Sequence, residues 1–205
     1  MIKHVLSSFV AAVALLVCGS ASAQLKYNFI EGGYAFTDID DIGDGSGVRL
    51  GASFSPIRNV FIFGGGKWSS VDFDEIFENA EGDLLTGEIG AGLYFSLSQN
   101  FDIVGKAGWN FNEFDFDDIV DSVDSNGVEI EIGVRTLLGS QLELGAFVGW
   151  SDLEELDNDD VDFELGDVAV DLYGIFHVNP LLGIGVETTL QDNSSEIGAF
   201  LRLHF

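Results

Sequence analysis

Positive charge is scarce in this chain. Eight Lys and Arg residues stand against 35 Asp and Glu, for a net charge of −27. So strong an acidic excess repels phosphates and excludes nucleic acid as a partner. Cysteine is scarcer still: the single Cys18 falls in a segment expected to be removed, which excludes a disulfide framework. Beyond that first segment no stretch offers eighteen consecutive apolar residues, so transmembrane helices are excluded too. Helix-period patterns are also few. Apolar material, by contrast, is plentiful, with 46% hydrophobic residues, 18 Phe and 26 Gly. A chain this acidic would be disordered if it were also polar, but a mean hydropathy of +0.25 gives it a core to build.

The first residues are expected to direct export. Lys3 lies in a short basic start, Val5–Val17 is an apolar run broken by Ser7 and Ser8, and Ala21-Ser22-Ala23 is a small-x-small cleavage site. Residues 1–23 are therefore a predicted signal peptide, and 24–205 the mature domain. Removal takes away Lys3 and no acid, moving the net charge from −27 to −28. The run is too short for a membrane anchor. Val17 stands where a lipoprotein signal wants a small residue, which argues against lipidation of Cys18.

What recurs along the mature chain is alternation, punctuated by Gly, Asn, Asp and Ser. It predicts ten strands, over 25–37, 46–55, 60–71, 84–96, 101–111, 127–138, 142–151, 164–178, 182–191 and 196–205. In 127–138, Val128, Ile130, Ile132 and Val134 form one face, and Glu129, Glu131, Gly133 and Arg135 form the other. One face is apolar throughout while the other mixes glycine, charge and aromatics. Lengths of about ten to twelve residues suit tilted strands crossing the hydrocarbon layer of a bilayer.

Connector lengths alternate. Segments 56–59, 97–100, 139–141 and 179–181 are tight, whereas 38–45, 72–83, 112–126 and 152–163 are long and 192–195 is short. The five loops carry 24 of the 35 acids, and the four turns carry only Arg58. Two ends with such different charge suit a barrel crossing a membrane, with acidic loops outside and turns in the periplasm. Trp68, Trp109 and Trp150 recur every 41 residues, each near the loop end of an up-going strand. A propeller blade would need four strands per repeat where this repeat has two, so the spacing points to an aromatic belt at one membrane surface.

The final stretch, "EIGAFLRLHF", places Ile197, Ala199, Leu201, Leu203 and Phe205 on one face. A barrel must close its last strand on its first. Together with "YNFIEGGYAF", "DIDDIGDGSG" and "GVEIEIGVRTLL", this ending resembles small single-domain Gram-negative outer-membrane β-barrel proteins. It is similar to the barrel part of OmpA-type proteins without their periplasmic domain, and with ten strands in place of eight. The resemblance implies a place in the cell outer membrane, recognition by periplasmic chaperones and the barrel-insertion machinery, and outer-membrane lipid and lipopolysaccharide as surroundings, with the chain a monomer. The fold expected is an all-β, ten-stranded antiparallel transmembrane barrel, with eight strands as the alternative. A soluble lipocalin-like barrel would reverse the pattern and put the apolar face inside.

If the apolar face meets lipid, the inward face holds Arg49, Lys67, Lys106, Arg135 and Arg202 together with Glu31, Glu88, Glu129, Glu131, Glu143, Asp171 and Glu187. Charges in a narrow, partly dehydrated space must pair. An ion-pair network filling the lumen is one reading, and a narrow polar conduit the other. The acidic loops "DIDDIGDGSG" and "DNDDVDFE" could hold Ca²⁺ through hard oxygens, but they lack the full calcium-loop pattern and predict no metal site. Catalysis has little support. His4 leaves with the leader, His177 and His204 lie near the periplasmic ends of their strands, and Asp159 and Asp160 lack burial. "FIFGGGKW" lacks the spacing of a phosphate loop. No enzyme activity, catalytic residue or cofactor is expected. The functions left open are a structural or surface barrel with acidic loops, a narrow cation-preferring porin, and a loop-mediated adhesin or receptor.

Overall fold

The computed structural model describes residues 25–39, 43–72, 81–116, 120–153, 156–158, 161–163 and 168–205. The expected leader lies outside them, as do Asp159 and Asp160 and much of the two acidic loop motifs. Every described element is a β-strand: β1 (Phe29–Ile39), β2 (Gly43–Ile57), β3 (Val60–Asp72), β4 (Glu81–Ser98), β5 (Phe101–Phe116), β6 (Val120–Leu138), β7 (Leu142–Leu153), β8 (Leu156–Asn158), β9 (Val161–Phe163), β10 (Val168–His177), β11 (Leu182–Leu190) and β12 (Ser194–His204). Ten of them close into an antiparallel barrel, and β8 and β9 pair with each other as a small separate hairpin. The eight-strand alternative is wrong. The seam is formed by β1 and β12, where Phe29 pairs with His204 and Ile39 with Ser194.

The alternation is obeyed as a membrane requires. Ile130 and Ile132 on β6, Ile89 and Leu93 on β4, and Ile184 and Val186 on β11 point outward and are exposed. Glu131, Arg135, Glu143 and Arg202 point inward and are buried. A strand in hydrocarbon must also satisfy every backbone group, which a closed ring of ladders does and an open sheet does not.

Packing inside the ring depends on size complementarity between neighbouring strands. Inward aromatics lie flat over inward glycines opposite them. A Cβ on Gly133 would sit 2.4 Å from the Phe147 ring, and one on Gly92 would sit 2.2 Å from Phe61. Glycine in these strands makes room for rings in a narrow bore. The tight turns use residues that tolerate left-handed backbone. Asn59 has φ 68° and Gly139 has φ 67°, while the Asn179 side chain accepts from the amides of Leu181 (2.8 Å) and Leu182 (3.0 Å).

Two boundaries depart from expectation. The hairpins run further than predicted at the loop end: β5 continues to Phe116 and β6 starts at Val120, so most of 112–126 is ladder rather than loop. Residues 25–28, expected to begin the first strand, are not strand at all. β1 starts at Phe29, where partners on both β2 and β12 begin. The expected strand 164–178 is described from Val168, and its first four residues lie outside the described chain.

Candidate functional site in the barrel lumen

All twelve charged residues expected to face inward do so. Eleven line a cavity of about 470 Å³, and the twelfth, Glu143, is 1% exposed beneath it. They do not form one uniform network. From mid-barrel down to the turn-bearing end the charges are joined in a chain across strands. Arg49 on β2 bonds Glu31 on β1 at 2.7 Å and also pairs with Glu187 on β11. Glu31 in turn holds Arg202 on β12 at 2.7 Å. Arg135 on β6 donates to Glu143 on β7 through Nε (3.1 Å) and Nη2 (2.7 Å). Tyr173 donates to the same carboxylate at 3.0 Å, and His177 lies 3.1 Å from its other oxygen. Arg202 approaches Glu143 at 3.7 Å and links the two clusters. A carboxylate as deeply buried as Glu143 is tolerable only with this many partners.

Tyr27 closes this end. Its ring enters the lumen and stacks on Tyr94 with centroids 4.0 Å apart, packing also against Phe61, Val104 and Phe147. Its hydroxyl donates to Asp102 at 2.8 Å. The guanidinium of Arg135 lies 4.3 Å from the ring centroid and donates to the Lys26 carbonyl at 3.1 Å. Lys26 itself donates to the Pro180 carbonyl at 2.7 Å. The segment 25–28 thus folds into the mouth, and an aromatic layer crosses the bore.

Nearer the loops the site is looser. Lys67 pairs with Glu196 and donates to Thr37 (3.0 Å). Lys106 pairs with Glu131, between the rings of Phe63 (5.6 Å) and Phe147 (4.7 Å). Asn110 donates to Glu129, and Thr189 to Asp171 at 2.6 Å.

Sequence reasoning missed Tyr27, Asp102, Tyr173 and Glu196. Tyr173 shares the parity of Asp171 and His177 on β10, a signal that was present. Tyr27 carried no local signal, because Leu25 and Tyr27 continue the parity of Phe29. His177 and His204 sit at the turn-bearing end as expected, inside the lumen. His204 is buried beside His177 with ring centroids 5.2 Å apart.

The three tryptophans face outward and are exposed. Across β4, Trp68 meets Leu85 and Trp109 meets Ile89. Across β6, Trp109 meets Val128 and Trp150 meets Ile130. The offsets run in one sense, as strands tilted by about 45° need if three rings are to share one depth.

A closed antiparallel ring with an apolar exterior, a tryptophan girdle and an ion-paired interior defines an outer-membrane β-barrel. The chain matches the family described as "Outer membrane protein beta-barrel domain" over residues 9–168. It belongs to that family, and its place is the cell outer membrane. No curated protein sequence matches it. Among solved structures, the KdgM porin is 11% identical at TM-score 0.46, the match covering 86% of this chain and 99% of that one. Neisserial surface protein A is 14% identical at TM-score 0.46, covering 86% and 96%. Ail, the attachment invasion locus protein of Yersinia pestis, is 13% identical at TM-score 0.38, covering 88% and 98%.

Proposed function

We propose that this chain is a structural, surface-presenting barrel of the outer membrane. In this reading the signal peptide 1–23 is removed, the mature domain inserts as a monomer through the periplasmic chaperones and insertion machinery, and its acidic loops face outward among lipopolysaccharide. The barrel is a scaffold, not a catalyst; both described histidines lie at the end opposite the loops. The observation that carries the reading is the layer formed by Tyr27, Tyr94, Phe61 and Phe147, which fills the bore beside the Arg135–Glu143 pair. A lumen filled by its own side chains stiffens a barrel and does not conduct.

Planar-bilayer recording tests this directly. The refolded mature protein is expected to give no discrete conductance steps, whereas Tyr27→Ala opens the layer and produces them. Cation-selective steps from the unmodified protein, reduced by Glu129→Gln, would overturn it in favour of a narrow cation-preferring porin. That second reading draws support from the acidic excess on the upper lumen wall.

A further inference from the structure

The cavity above the aromatic layer holds charge that the barrel leaves uncompensated. Among the described residues, Glu88, Glu129 and Asp171 have no ion-pair partner. Glu129 takes a neutral donor from Asn110, and Asp171 takes one from Thr189 while lying within hydrogen-bond reach of the Glu131 carboxyl. Lys106 interacts electrostatically with Glu88 and Asp171, but its ammonium is already paired with Glu131. Three carboxylates on β4, β6 and β10 therefore face one lumen cavity with more acids than bases in its wall.

Two further oxygens in the same cavity are buried and idle. Ser53, 4% exposed, has no partner for its Oγ. The Oδ1 of Asn110 is likewise unpartnered, since the amide nitrogen serves Glu129. A buried polar atom without a partner costs about 1–3 kcal/mol, and Asn110 Oδ1 and the carboxylates accept hydrogen bonds without donating. The complementary ligand is positively charged and built of N–H donors. The faces of Phe63 and Phe147, already flanking the Lys106 ammonium, suit the same chemistry.

Shape selects among cations. No three of the described acids and histidines converge on a point where a metal ion could be held. The acceptors are instead spread along a cavity of about 470 Å³ that runs from Tyr27 and Ser53 up to Gln191 and Ser194, a size typical of small-molecule sites. We infer that the upper lumen binds linear aliphatic polyamines, their spaced ammonium groups matched to Glu88, Glu129 and Asp171.

Isothermal titration calorimetry of the refolded mature protein in detergent micelles, with spermidine as probe at low salt, tests the inference. Saturable one-site binding is expected. It should weaken at least tenfold in the double variant Glu88→Gln/Asp171→Asn and stay within twofold in the loop variant Asp157→Asn/Asp159→Asn/Asp160→Asn. Heat-modifiable migration verifies the fold of each variant, and if the double variant fails that check, Glu129→Gln is read in its place with the same expectation. Absence of saturable binding would overturn the inference. So would binding lost in the loop variant and kept in the lumen variant, or Mg²⁺ competing as well as spermidine at equal charge. None of these outcomes bears on whether Tyr27 blocks conduction.

Discussion

Below the tryptophan belt the barrel is inside out, and above it the same strands are right side out. On β6 at membrane depth, Ile130 and Ile132 face out while Glu131 and Arg135 face in. Toward the loop end the parity is unchanged but the chemistry reverses. Val71 on β3, Leu84 on β4 and Phe114 on β5 point inward and are buried. Acids take outward positions at this level, and across the ladders they oppose one another: Asp38 meets Asp44, Asp83 meets Asp115, and Glu113 meets Asp124. The surroundings decide which parity must be apolar, and the reversal marks where hydrocarbon gives way to water. Charge is treated just as differently. Inside, dehydration forces Arg135 and Glu143 into a multiply bonded pair. Outside, water and salt allow like charges to stand face to face.

The comparison can be broken at several points. The largest effect is expected from Arg135→Met, which removes the two-bond partner of Glu143, leaves it Tyr173, His177 and the more distant Arg202, and costs about 3–5 kcal/mol. Urea titration of folding in lipid vesicles measures it, and a loss under 1 kcal/mol would mean the pair is solvated. Next comes Ile132→Lys, expected to cost about 2–4 kcal/mol at membrane depth. The matched change Asp115→Lys, above the belt, should be neutral or stabilising in the same titration. Equal penalties at both sites would erase the proposed boundary. The smallest effect belongs to the rim: Asp115→Asn relieves a like-charge pair with Asp83 and should stabilise by about 0.2–1 kcal/mol at low ionic strength. That gain should vanish in high salt or with millimolar Mg²⁺. A gain indifferent to salt would need a cause other than repulsion.

The ten strands and all twelve inward charges were legible because a bilayer imposes strict period-two alternation, and residues such as Val128 to Arg135 express it without interruption. The rim was not legible for the same reason. Segments such as "NEFDF" keep the alternation but reverse its sense, and with few apolar residues facing out they resemble loops. Tyr27 was hidden by a tertiary fact: whether Leu25 to Asn28 extend the strand depends on whether β2 and β12 still offer partners there. Asp102 and Glu196 keep the inward parity of Lys106 and Arg202, so the signal was present in them as in Tyr173, though they stand next to a turn and a loop.

The seam between β1 and β12 has a consequence for assembly. The backbone carbonyl of Asn28 accepts from the amide of Phe205 at 3.2 Å, and Phe29 pairs with His204, so contacts between the first and last described strands complete the cylinder. Until that zipper engages, two unsatisfied edges would face oil, and no partial ring is a resting place. Such distant partners are slow to meet, which makes circular permutation informative. Joining residues 25 and 205 and reopening the chain at the Gly139–Gln141 turn should make the β1–β12 pairing early and hand the late step to β6 and β7, whereas β1 and β12 still pairing last would put the cause elsewhere.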